Sequence, residues 1–194
     1  KKTVVMEETT LVKKHYSFEE YWQMELQSEQ RHEFIDGQII AMPGVTQNHN
    51  AVSLNLAVAF VALLNEAEFK IFMEGVRLQI ESKKDYTYPD FCIAQKEGNT
   101  GSDLIIKNPM LVVEILSPAT KLYDQVDKFL RYKKLPSLQY YLLIDPDRVF
   151  VNLYQKQPDG QQWSSELFTL LTETIDLPLL QVSLSLQKIY RGLF

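Results

Sequence analysis

The sequence predicts a mixed α/β or α+β domain arranged around one central sheet. Three observations carry this. Met110–Leu116 is an almost wholly apolar run, as expected of a central strand covered on both faces. Residues 51–64 form a second apolar stretch, too long for an ordinary strand and rich in helix formers. Several short β-like runs, punctuated by Gly, Pro and Asp–Gly, lie between the helical stretches.

The elements follow in order. Residues 1–16 are polar and read as an arm, leaving 17–194 as a single domain. Ser17 with Glu20 forms a capping box, and Phe18, Tyr21, Trp22 and Leu26 share one helical face, so a helix is predicted from Ser17 to about Ser28. Asp36-Gly37 between two apolar runs marks a hairpin, closed off by Pro43 and Gly44. A long buried helix is predicted over 47–68, then strands near 70–73 and 76–80, and one strand over 86–94. Ser117-Pro118 breaks the strand that begins at Met110. A helix is then predicted over about 121–134, stopping before Pro136. Strands over 138–144 and 149–154 pair across Asp145–Arg148. The tail adds strand over 163–171 and a short helix near 184–191.

Composition narrows the function classes. The chain has 194 residues and a single cysteine, Cys92, which excludes a disulfide framework or a Cys-rich zinc site. It also suits a reducing, cytoplasmic compartment. The net charge of −5 excludes a strongly basic nucleic-acid coat, though not a local patch. The apolar window at 51–64 contains Ser53 and Asn55 and falls short of the ~18–20 residues a membrane span needs. The first residues show no apolar h-region and no cleavage site, so no signal peptide is expected. Phosphate-loop, dinucleotide, paired-His metal and hydrolase-elbow motifs are all missing.

Glu114 is the most unusual residue, a carboxylate inside an apolar strand, which is costly unless paired. A metal, a basic partner or a solvent-facing strand end would each account for it. Asp90, after Pro89, stands at or within another apolar strand. It is either an ordinary strand-entry acid or the second half of a pair. Two carboxylates meeting at one sheet edge suit a hard cation with oxygen ligands, Mg²⁺ or Mn²⁺. Asp124, Lys128 and Tyr132 recur at i, i+4 and i+8, hence on one helix face. Lys128 has the reach to approach the acids, or simply pairs with Asp124. Around them Lys121, Lys128, Arg131, Lys133 and Lys134 outnumber Asp124 and Asp127, and a phosphodiester could be steered there. Glu33, in the hairpin, and His49, in the first turn of the long helix, are weaker candidates. For His49 a core or capping role competes.

These stretches together resemble the PD-(D/E)XK nuclease superfamily, with its restriction-endonuclease-like core. More closely, they resemble a bacterial family of putative restriction endonucleases long treated as a domain of unknown function. The matching segments are Glu33–Gln38, His49 opening a long helix, Pro89-Asp90, Leu111–Pro118, Asp124 with Lys128 and Tyr132, and Leu138–Pro146. Their order spans nearly the whole chain. The resemblance implies a central mixed sheet flanked by helices, Asp90 and Glu114 as metal ligands, Glu33 as a further acid, and DNA as partner. It departs at one point: the superfamily's lysine two residues after the second acid is here Leu116, and Lys128 is expected to replace it. A metal-dependent DNA endonuclease is the expectation, with a homodimer favoured by double-strand cleavage. Two rivals are a catalytically inactive nuclease fold used as a DNA- or protein-binding module, and a metal-independent glycosidase with an aromatic cleft.

Overall fold

The computed structural model describes residues 14–117 and 127–194. Helix α1 (Phe18–Gln27) starts at Ser17, whose side chain accepts from the Glu20 amide while the Glu20 carboxylate reaches back, the expected capping box. Strands β1 (His32–Ile35) and β2 (Gln38–Ala41) form the expected hairpin. Asp36 and Gly37 both have positive φ, 47° and 76°, as a tight turn between right-twisted strands requires. Helix α2 (Gln47–Leu63) is capped by Thr46 and ends five residues before the predicted boundary. There the side chain of Asn65 accepts from the Ala67 amide and turns the chain.

The largest difference from expectation is that there are two main sheets. The predicted strand over 86–94 is two strands, β5 (Asp85–Thr87) and β6 (Phe91–Gln95), and each joins a different sheet. Pro89 lies in the joint and has no N–H to continue a ladder. Likewise β3 (Phe69–Met73) and β4 (Arg77–Glu81) do not pair with each other: β3 lies against β6, and β4 against β5. The first sheet runs β2-β1-β5-β4-β7, with β7 (Ile105–Ile106) parallel to β4. The second runs β11-β10-β9-β8-β6-β3, from β8 (Pro109–Ile115), β9 (Tyr140–Ile144), β10 (Val151–Lys156) and β11 (Trp163–Phe168). Strand β8 is central, antiparallel to β6 and parallel to β9. A third ribbon, β12 (Thr174–Leu177) with β13 (Val182–Ser185), leads into α4 (Leu186–Ile189).

Alternation along β8 sorts its side chains. Leu111, Val113 and Ile115 belong to the core shared with α2, where Val52, Leu56 and Phe60 pack and Phe60 stacks on Phe91 at 5.3 Å. Each such side chain contributes roughly 1.5–3 kcal/mol. Val112 and Leu116 belong to the opposite core, with Cys92, Tyr141 and Leu143. That second layer also holds Tyr132, from the one-turn helix α3 (Phe129–Tyr132), and Leu78 and Ile106 of the first sheet. Of the predicted helix over 121–134, Lys121 and Asp124 lie outside the described residues.

Arg131 fastens this layer. Its guanidinium donates to both oxygens of fully buried Asp85 at 3.0 Å and to Asp36 at 3.1 Å. Arg131→Met leaves a buried carboxylate without its main cation and is expected to cost about 3–5 kcal/mol in urea unfolding. Half-exposed Lys134, 3.6 Å from Glu81, is the control: Lys134→Met should stay within about 0.5 kcal/mol. Equal, small losses in both variants would show that Asp85 finds other compensation.

Candidate active site

The pocket of interest lies where the two sheets approach each other, under the segment Ile40–Val45, which comprises the end of β2 and the chain just after it. It measures about 100 Å³, and Glu33, His49, Tyr88, Asp90, Glu114 and Lys128 are among its lining residues. Five segments of the chain deliver them. Glu33 comes from β1, Asp90 from the joint before β6, Glu114 from β8 and His49 from the first turn of α2. Lys128, itself in helical conformation, directly precedes α3. The sequence-predicted residues Glu33, His49, Asp90, Glu114 and Lys128 are thus brought into one pocket.

The Lys128 ammonium is the hub. It lies 3.0 Å from Glu33 Oε1 and 3.1 Å from Glu114 Oε2, and all three side chains are nearly inaccessible. The Tyr132 hydroxyl donates to Glu114 Oε1 at 2.7 Å and meets the Thr87 hydroxyl at 3.0 Å. Burial and the Glu114 charge hold the Tyr132 phenol well above its ordinary pKa, so it remains a donor. The i, i+4 spacing of Lys128 and Tyr132 therefore converges on one carboxylate. Leu116, where the superfamily places its lysine, is an apolar member of the core beneath α3.

Asp90 is held from another side. Its Oδ2 accepts the Ile115 amide at 2.7 Å and lies 3.2 Å from His49 Nε2. Burial disfavours the imidazolium of His49. The hydrogen bond and charge of Asp90, then Glu74 and a backbone hydrogen bond with Ile115, outweigh burial and hold the His49 pKa above its ordinary value. His49 is thus a partner of Asp90 rather than a plain core or capping residue.

The predicted basic stretch behaves differently. Arg131 is committed to Asp85 and Asp36, Lys134 lies near Glu81 and Asp85, and Lys133 stands 5.4 Å from the centre of the Phe129 ring. None of the three lines the pocket. Acids contributed by the first sheet offset the local positive charge that the sequence shows there.

One group of residues escaped the sequence reading. Buried Glu25 of α1 accepts from the Tyr88 hydroxyl at 2.7 Å and lies 3.0 Å from His32 Nδ1. Arg77 donates to the same hydroxyl at 2.6 Å and stacks 4.3 Å from the Trp22 ring centre. Burial and the bond to Glu25 push the Tyr88 phenol up to about 12. This network anchors Tyr88, two residues before Asp90. A signal was present in part, since Glu25 falls one turn from Tyr21 on the buried face of α1, but its partners are distant in sequence.

Among the described residues no group of three His, Cys, Asp or Glu side chains is arranged to enclose a metal ion. Mg²⁺ does not need one: it is held by one or two carboxylates and keeps several waters. Asp90 and Glu114 supply hard oxygen donors, the pocket has room for waters, and the acids Glu33, Asp90 and Glu114 outnumber the lysine, Lys128, that lines it with them. The donor set fits such an ion.

This α+β domain, with Glu33, Asp90, Glu114 and Lys128 lining one pocket, has a nuclease-like fold. A crystal structure of a putative nuclease belonging to DUF820 from Anabaena variabilis matches it with a TM-score of 0.73, at 23% identity, over 90% of this chain and 97% of that one. The chain belongs to the Uma2 family, described as "Putative restriction endonuclease", whose sequence profile matches residues 18–187. It is also similar to two uncharacterized proteins of Synechocystis sp.. With slr1290 it shares 37% identity over 90% of this chain and 91% of the relative. With sll1609 it shares 36% over 76% and 85%.

The two carboxylates around Lys128 make its charge indispensable to the metal-free fold. Lys128→Met is expected to lower stability at pH 7 by about 3–5 kcal/mol. Adding Glu33→Gln and Glu114→Gln to that variant should recover most of the loss, as read by urea unfolding. A triple variant as unstable as the single one would mean that the lysine's packing, not its charge, is what matters.

Proposed function

We propose that this chain is a divalent-metal-dependent endonuclease that hydrolyses DNA phosphodiesters. The observation that carries the proposal is the convergence of Asp90, Glu114 and Glu33 with Lys128 in one small pocket, in a chain of a restriction-endonuclease family. In this reading Asp90 and Glu114 hold Mg²⁺ or Mn²⁺. The bound ion supplies Lewis-acid polarisation of the phosphate and a more acidic attacking water.

The chain's own residues do the rest. Lys128 stands beside Glu114 from a helix instead of from the strand, and its ammonium orients the water and offsets charge developing on the phosphate. Glu33 keeps that ammonium in place from the opposite sheet. Tyr132 donates to Glu114 Oε1 and fixes the rotamer of its carboxylate. Tyr88 and the Ile40–Val45 segment wall the pocket and limit bulk water. Two copies, with one such pocket each, account for cutting both strands.

A second reading, an inactive nuclease fold that only binds, draws on one observation: Lys128 and Tyr132 already occupy both Glu114 oxygens. The glycosidase alternative loses its basis, because Tyr88 is the one aromatic residue lining the pocket among those described.

Supercoiled plasmid cleavage with Mn²⁺, with Mg²⁺ and with chelator separates the two remaining readings. The enzyme reading expects metal-dependent nicking that falls about a thousandfold in Asp90→Ala and in Glu114→Gln, the several kcal/mol an essential metal interaction supplies. Cleavage that persists in both variants, or chelator-resistant binding without cleavage by the wild type, would overturn it.

A further inference from the structure

Four buried side-chain atoms among the described residues lack a hydrogen-bond partner: His49 Nδ1, Ser53 Oγ, Glu74 Oε1 and Arg77 Nη1. Three of them belong to residues around the imidazole that touches Asp90. Ser53 follows His49 by one turn of α2, so the two share a helix face with Cβ atoms about 5–6 Å apart. Glu74 directly follows β3, and its amide donates to the Asp90 carbonyl at 3.3 Å. Its charge also acts on His49. Buried polar atoms are rarely left unsatisfied, and a buried water typically satisfies about three of them.

On the other side of the ring the geometry is fixed. Asp90 Oδ2 is taken by the Ile115 amide and by His49 Nε2. That leaves Oδ1 as the oxygen Asp90 can offer to the pocket.

We infer that His49, Ser53 and Glu74 form a supporting layer behind Asp90, closed by one buried water shared by His49 Nδ1, Ser53 Oγ and Glu74 Oε1, which holds Asp90 with Oδ1 presented for metal binding. The inference rests on the metal site proposed above and assigns its positioning residues. With Nε2 donating to Asp90, Nδ1 accepts from the water when the ring is neutral and donates to it when the ring is charged, so one water serves both states. Asp90, His49 and Ser53 have the composition of a nucleophilic triad, but Ser53 has no exposed surface. It therefore orients the ring and does not attack a substrate.

The test is Mn²⁺ binding to the full chain, followed by the electron paramagnetic resonance signal of free Mn²⁺, with thermal melts of the metal-free proteins alongside. His49→Ala is expected to weaken Mn²⁺ binding about 10–100-fold, the usual loss for an outer-layer partner of a ligand. Added imidazole should restore part of that affinity by filling the vacated space. Ser53→Ala, a milder change, should weaken Mn²⁺ binding several-fold and lower the melting temperature, because it removes one anchor of the water. Were the Ser53 hydroxyl truly unsatisfied, its removal would instead raise the melting temperature. A Ser53→Ala protein that melts higher and binds Mn²⁺ like wild type overturns the inference. So does a His49→Ala protein with wild-type affinity, or one whose lost affinity imidazole does not restore. In each of those cases wild-type Mn²⁺ binding leaves the metal site standing. A wild type that binds no Mn²⁺ removes both.

Discussion

A single ammonium between two carboxylates governs the architecture. Glu33 belongs to one sheet, Glu114 to the other, and Lys128 reaches both at about hydrogen-bond distance. Three buried charges each lose several kcal/mol of hydration, which is recovered only when the geometry is good and the remaining lone pairs are met. Tyr132 donates to Glu114 Oε1, and Lys128 donates to Glu114 Oε2 and stands 3.0 Å from Glu33 Oε1. The approach of the first sheet to the second is therefore set by charge as well as by apolar packing. A shift of one sheet along the other would separate Glu33 from the ammonium it needs.

The strand switch at Tyr88-Pro89-Asp90 follows from the same constraint. The chain leaves the first sheet after β5 and enters the second at β6, and Asp90 is the first side chain past the crossing. Tyr88, on the near side, is gripped through its hydroxyl by Glu25 and Arg77. Asp90, on the far side, is gripped by Ile115 and His49. A joint between two sheets would ordinarily be a place of motion. Here it is pinned at both ends, which is what the metal-holding role proposed for Asp90 requires.

Much of this was legible in the residues. Glu114 stood out because an acid in Met110–Leu116 contradicts its surroundings, and Lys128 with Tyr132 stood out because their spacing repeats a helical turn. Local pattern carries both signals. What it did not carry is which strand neighbours which. The run 86–94 reads as one strand because its apolar character is continuous, yet Pro89 divides it between two sheets. The basic cluster near 131–134 reads as a phosphate contact because its compensating acids, Asp36, Glu81 and Asp85, lie some fifty or more residues upstream. Ser53 and Glu74 gave no signal, since a small polar residue in a helix and an acid in a turn are unremarkable until their surroundings are known.

In the proposed site, the move of the lysine from position 116 to 128 shows why spacing within a motif is weaker evidence than placement. Side chains two apart on a strand share a face, so a lysine at position 116 would emerge beside Glu114. In this chain that position belongs to Leu116, which packs with Tyr132, Leu135 and Leu138 beneath α3. The helix held down by that apolar contact is the element that Lys128 precedes. Leucine at 116 and lysine at 128 are therefore two parts of one arrangement: the apolar residue anchors the segment, and the segment returns the ammonium to the carboxylate. A lysine restored at 116 would place a second cation against Glu114 and remove the contact that fixes the first. The physical requirement is one positive charge at the acids, and the sequence position from which it comes is free to move so long as the packing moves with it.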